Sequence, residues 1–168
     1  MSYKVKSTIM SLVIGILLMA AYGIYAAGKV SSGAASMDDL RFWASSMLLF
    51  IGIGIAATIV MHIILSILLS IGKAIRQTAE TGKTDDKAIE RSLQLDMVED
   101  EMDKLISLKS MRVGYAIGGF GFIAALISLV MGSPSGVMLN IMFGSFFAGS
   151  LIEALAQLVY YRRGIKNN

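Results

Sequence analysis

The sequence has no cysteine and a single proline, histidine and tryptophan each, and charged residues make up only 16% of its 168 positions. Without cysteine there is no disulfide, no thiol nucleophile and no thiolate metal site. The one proline, Pro134, stands in a Gly-Ser-Pro-Ser-Gly turn at 132–136, so no apolar segment carries a proline kink. One histidine falls short of a metal site, and no metal or other cofactor is expected. HExxH, GxSxG, P-loop and paired-carboxylate patterns are missing, and the sequence reads as that of a protein without enzymatic activity. The small excess of positive charge, +3, sits at segment ends rather than on an aromatic-interleaved face, so no nucleic-acid partner is expected.

What the chain has in abundance is apolar length. Four stretches, about 8–27, 43–72, 113–132 and 137–161, are each long enough to cross a bilayer, whose core of about 30 Å takes about 20 helical residues. In hydrocarbon every backbone N–H and C=O must be satisfied within its own segment, which leaves helices as the reading for spans of this length. The expected fold is all-α: a single polytopic membrane domain over 1–168, with four transmembrane helices. The first stretch follows Lys4 and Lys6 as a signal peptide would. Its apolar run exceeds the roughly 7–15 residues of a signal h-region, and it is read as a retained span.

Orientation follows from the basic residues. Of the 15 Lys and Arg, all but Lys29 and Arg41 fall before the first stretch, between the second and third, or after the fourth. Short basic flanks stay cytoplasmic. The N- and C-termini and the middle segment 73–112 are therefore placed in the cytoplasm, and the protein in the cell (plasma) membrane. Ser36 followed by Asp39 suggests a capping box that starts the second helix near Met37, with Phe42 and Trp43 at the membrane interface. From Trp43 to Lys73 this helix covers about 45 Å, more than one perpendicular crossing.

The middle segment is the largest polar region. In its second half Leu95, Val98, Met102, Leu105 and Ile106 follow a helical apolar pattern. Asp96, Glu99, Asp100, Asp103 and Lys104 share the opposite, cytoplasmic interaction face. Asp85 or Asp86 is expected to cap this helix, which should be continuous with, or only slightly bent from, the third span, making 73–112 a cytoplasmic helical hairpin. The run Glu99-Asp100-Glu101-Met102-Asp103-Lys104-Leu105-Ile106-Ser107-Leu108-Lys109-Ser110-Met111-Arg112, leading directly into an apolar span, resembles the acidic-basic segment before the third span in a family of small uncharacterised prokaryotic four-span membrane proteins. The chain departs from that pattern at Met102, where a basic residue is usual. The resemblance implies fold and topology and no reaction.

Small residues at four-residue spacing mark helix-packing faces: Ser11 and Gly15, Gly52 and Ala56, Gly114 and Gly118, Gly144 and Ala148. Such faces serve packing within one bundle or a homo-oligomer interface, and both readings stay open. Two ionisable residues lie deep in the apolar stretches, where charge is costly. His62 stands 11 residues before Lys73 and Glu153 stands 9 before Arg162, which puts them at depths of about 16 Å and 13 Å. They are expected to meet across adjacent helices, with Gln157 as a third member of an intramembrane polar site. The pair fixes helix register or handles protons or cations.

Two functions follow. One is an oligomeric membrane component of interaction or regulation, whose cytoplasmic hairpin binds a membrane or cytoplasmic protein partner. The other is a small proton- or cation-coupled transporter or channel subunit that uses His62 and Glu153.

Overall fold

A computed structural model describes residues 3–81, 87, 89, 91, 95, 98 and 100–164. It is all-α, with α1 over Tyr3–Ser31, α2 over Leu40–Thr81, α3 over Glu101–Val130 and α4 over Ser135–Arg163. All four are long and apolar enough to cross a membrane, as a multipass membrane protein requires. α1, α3 and α4 have 29, 30 and 29 residues, or about 45 Å each at 1.5 Å per residue. α2 has 42 residues, or about 63 Å.

The helix ends have local causes. α2 starts later than the sequence pattern suggested, because Asp39 rather than Ser36 caps it: its Oδ1 accepts from Phe42 N at 3.0 Å. α3 starts at Glu101, where extended Asp100 accepts from Asp103 N at 2.6 Å. From Glu101 through Arg112 the helix runs unbroken into the third span, as expected, while the cap at Asp100 interrupts the expected helix upstream of that point. Asp100 offers the first turn of α3 a carboxylate acceptor that continued helix would forgo. The expected cap at Asp85 or Asp86, and most of the hairpin, lie outside the described residues. Between α3 and α4, Gly132 takes φ +84°, a left-handed conformation suited to glycine. Pro134 then precedes α4 without a side-chain cap, and the orphan Gly136 N–H of the first turn donates to Met37 O, 2.8 Å away in the α1–α2 loop.

α3 and α4 are the most intimate pair, α1 lies against α4 and α2, and α2 touches α4. The α3 face toward α4 is small: Ser110, Gly114, Gly118 and Ala125 are buried there. Gly114 and Gly149 meet backbone to backbone. A Cβ on Gly149 would stand 2.7 Å from Gly114 O, and one on Gly114 would stand 3.1 Å from Gly149 O. A Cβ on Gly121 would overlap the Ser145 side chain. Close approach of this kind is what small residues permit where water supplies no drive between helices.

At the end of the bundle holding the two short connections, the turn end, aromatic side chains fill the centre. Tyr22, Trp43, Met47 and Phe50 are buried with Ala35, and Phe143 and Leu139 pack on them. Tyr22 meets Phe50 edge-on at 5.2 Å and Phe143 at 4.7 Å between ring centroids. The Tyr22 hydroxyl donates to Asn140 Oδ1 at 2.6 Å. Trp43 corrects a second expectation. Its ring does not face lipid or headgroups but is fully enclosed, 0% exposed, and its indole N–H donates to Ser36 O at 3.0 Å. The late start of α2 turns Trp43 inward under the 32–39 loop, while Phe42 stacks on Tyr25.

Candidate functional site

The opposite, terminal end is polar inside. α1 contributes Lys4, Ser7, Thr8 and Ser11, α3 contributes Asp103 and Ser107, and α4 contributes Gln157 and Tyr161, around a chamber of about 180 Å³. The spacings explain the convergence. Positions 4, 7, 8 and 11 share one helical face, as do 103 and 107, and 157 and 161. The volume is that of about six waters.

Hydrogen bonds cross between helices here. The Thr8 hydroxyl lies 2.9 Å from Lys4 O and 3.0 Å from Gln157 Oε1, sharing its proton between them. The Tyr161 hydroxyl donates to Asp103 Oδ1 at 2.7 Å. Ser7 and Ser11 also border a narrow cleft on α2 formed with Met61, His62 and Leu65. There His62 Nδ1 is 2.8 Å from Thr58 O and Nε2 is 3.0 Å from Ser7 Oγ. A carbonyl only accepts, so Nδ1 carries a proton and, in the neutral ring, Nε2 accepts from the Ser7 hydroxyl.

The residues singled out from the sequence are thus distributed among different neighbours. His62 bonds α1, Gln157 bonds α1 from α4, and Glu153 packs beside Gly114 of α3, where a glycine Cβ would stand 2.9 Å from Glu153 Oε2. Among the described residues the hydrogen-bond partners of His62 are Ser7 and Thr58, and Glu153 has none. The expected His62–Glu153 bond is not made, because α1 supplies the nearer hydroxyl and Gly114 leaves room for Glu153 against α3.

The acidic face expected on 96–104 is also redistributed. Asp96 and Glu99 lie outside the described residues, Asp100 caps α3, Lys104 is exposed, and Asp103 turns inward to Tyr161. Met102, Leu105 and Leu108, by contrast, point outward. Of the small-residue faces, Gly114 and Gly118 lie against α4, and a Cβ on Gly15 would stand 2.7 Å from Leu151 Cδ2. Gly52 and Gly144 have open space around the missing side chain, and Ala56 is exposed. The α2 glycine that meets α1 is Gly54, opposite Leu18.

The chamber holds a cation, a carboxylate, a phenol, an amide and four aliphatic hydroxyls, an inventory for binding a polar group of mixed charge. It does not continue along the bundle axis. One turn beyond Ser11, Gly15 is covered by Leu151, and the aromatic cluster follows. Among the described residues no three His, Cys, Asp or Glu side chains converge as metal ligands. Alongside the chamber, on the outside of the α1–α4 pair, runs an apolar groove of about 710 Å³ lined by Val5, Ile9, Leu155, Leu158, Val159, Tyr161 and Arg162. Tyr161 borders both spaces. Sequence reasoning missed Lys4, Thr8 and Tyr161. The available signal was the polar set 4, 7, 8 and 11 at helical spacing at the start of an apolar helix. Comparison of the chain with family models, with curated proteins and with solved structures finds no match in any of the three.

Proposed function

We propose that this chain is a multipass plasma-membrane protein, both termini and residues 73–112 cytoplasmic, that serves as an oligomeric interaction or regulatory component. The observation that carries the reading is the length of α2 and the exposed apolar side chains along it. Its buried residues are Trp43, Ser46, Met47, Phe50 and Leu65. Beyond Leu65, Ile67, Leu68, Ile71 and Ile75 are exposed, Ile75 by 66%. A bilayer of about 45 Å with headgroups, crossed at the average tilt of about 20°, takes about 32 residues. Helix α2 exceeds that by roughly ten, so apolar side chains near Ile75 reach beyond the membrane, and Ile75 itself stays exposed. A second copy or a partner helix covers these side chains.

The natural absence of cysteine makes the test direct. Single cysteines at Ile67, Ile71 and Ile75, which share one helical face, are expected to cross-link to a second chain in membranes, with a matching oligomeric mass after mild solubilisation. A monomeric mass and no adduct at any of the three positions would overturn the reading. Orientation is checked by Ser135→Cys, which a membrane-impermeant thiol reagent should label in intact cells. Labelling only after lysis reverses it. The transport alternative is less well supported, since the polar chamber stops at Leu151 and His62 and Glu153 contact different helices.

A further inference from the structure

The chamber and the groove share a wall, Tyr161, and together have the form of a site for one amphiphile. The groove is apolar along Ile9, Leu155 and Leu158, and its volume falls within the range of about 300–1,000 Å³ of small-molecule sites. At its terminal end stands Arg162, exposed and, among the described residues, without an ion-pair partner. Beside it the chamber offers charges of both signs, Lys4 and Asp103. One carboxylate oxygen of Asp103 is occupied by the Tyr161 hydroxyl. A carboxylate accepts through two oxygens, so acceptor capacity remains on the chamber side.

An acyl chain alone would leave Arg162 and the second carboxylate oxygen of Asp103 unused, and a purely anionic headgroup would be set against Asp103. We propose that groove and chamber bind one phospholipid carrying a primary ammonium, of the phosphatidylethanolamine type. One acyl chain lies along Ile9, Leu155 and Leu158. The phosphate meets Arg162 and Lys4 at the junction, where guanidinium and phosphate match in geometry and charge. The ammonium enters the chamber and donates to Asp103 and neighbouring hydroxyl oxygens. A trimethylammonium headgroup has no N–H to donate and is discriminated against for that reason. The inference rests on the membrane placement proposed above.

The test uses the full-length protein in nanodiscs holding equal parts of phosphatidylethanolamine, phosphatidylcholine and phosphatidylglycerol, followed by native mass spectrometry of the lipids retained on release. One phosphatidylethanolamine per chain is expected, in preference to the other two. Asp103→Asn still accepts from Tyr161 but loses the charge, and should reduce the preference over phosphatidylcholine about tenfold, the loss of one charge-assisted hydrogen bond. Leu158→Trp, which fills the groove, should abolish retention of all three. Arg162→Gln, at an exposed position, serves as a second variant should Asp103→Asn misfold, and should weaken retention of both phosphatidylethanolamine and phosphatidylglycerol. Equal retention of the three lipids overturns the proposal, as does a preference for phosphatidylglycerol that Asp103→Asn leaves unchanged. Flotation of the wild-type chain with vesicles separates the two levels: a chain that does not float fails the membrane reading itself.

Discussion

Gly149→Leu is expected to separate α3 from α4, whereas Gly144→Leu, five positions away on the same helix, is expected to be tolerated. A Cβ on Gly149 would meet Gly114 O at 2.7 Å. The obstacle is backbone, which cannot turn aside as a flexible side chain can. Relief requires the two helices to move apart along their whole small-residue face, exposing Ser110 and loosening Gly118 and Gly121. The expected loss is about 3 kcal/mol, the upper part of the range for overpacking. At Gly144 the same substitution meets open space, and its effect should stay within about 0.5 kcal/mol. Thermal or SDS-induced unfolding of the two purified variants makes the comparison. Equal tolerance at both positions would mean that α3 and α4 do not pack through Gly114 and Gly149.

That contrast also marks how far the sequence could be read. Four-residue spacing of small residues occurs on more than one face of α4, which carries Gly144 with Ala148, Ser145 with Gly149 and Ser150 with Ala154. Spacing alone therefore points to Gly144 and Ala148 as readily as to the face Gly149 occupies. Only the position of α3 decides between them. The same holds for α2, where Gly52 and Ala56 have the pattern but Gly54 has the neighbour. Span number and approximate limits were legible because they rest on length and hydropathy, which hydrocarbon imposes on each helix separately. Pairing of faces rests on all four helices at once.

Asp103 illustrates the other kind of error. Judged as a helix in water, residues 95–106 turn their apolar side inward. In the structure the rotation of α3 is set further along by Ser110, Gly114 and Gly118 against α4. Counting back from Gly114 in helical steps reaches Ser110, Ser107 and Asp103, the residues that line the chamber or the contact with α4. Met102 and Leu105 are then carried outward, as membrane surroundings allow. The two ends of the bundle differ accordingly. The turn end is closed by rings and a backbone bond from the first turn of α4 to the α1–α2 loop, and the terminal end keeps its hydroxyls and charges around an open volume.

Trp43→Ala should be the most damaging change at the turn end, with a loss of about 3–5 kcal/mol. The ring is fully enclosed, bonds Ser36 O, and stands under the loop whose Met37 carbonyl caps α4 through Gly136. Removing it leaves a cavity, takes one of two donors from the Ser36 carbonyl, which keeps Asp39 N at 3.2 Å, and frees the contact between the α1–α2 loop and the start of α4. Trp43→Phe restores much of the volume but not the indole N–H, and should retain a loss of about 1–3 kcal/mol. Gly136 tests the geometry, since a Cβ there would overlap Met37 O and stand 2.7 Å from Trp43 Cδ1. Gly136→Ala is therefore destabilising in the wild-type background and milder beside Trp43→Ala, with a coupling of about 1 kcal/mol. Because Trp43 is the sole tryptophan, its fluorescence reads the same site without a label. An enclosed indole resists quenching by aqueous iodide and by brominated lipid alike, whereas an interfacial one is quenched by both. Strong quenching in the folded wild-type protein, or strictly additive effects at positions 43 and 136, would show that the ring is not held between the 32–39 loop and α4.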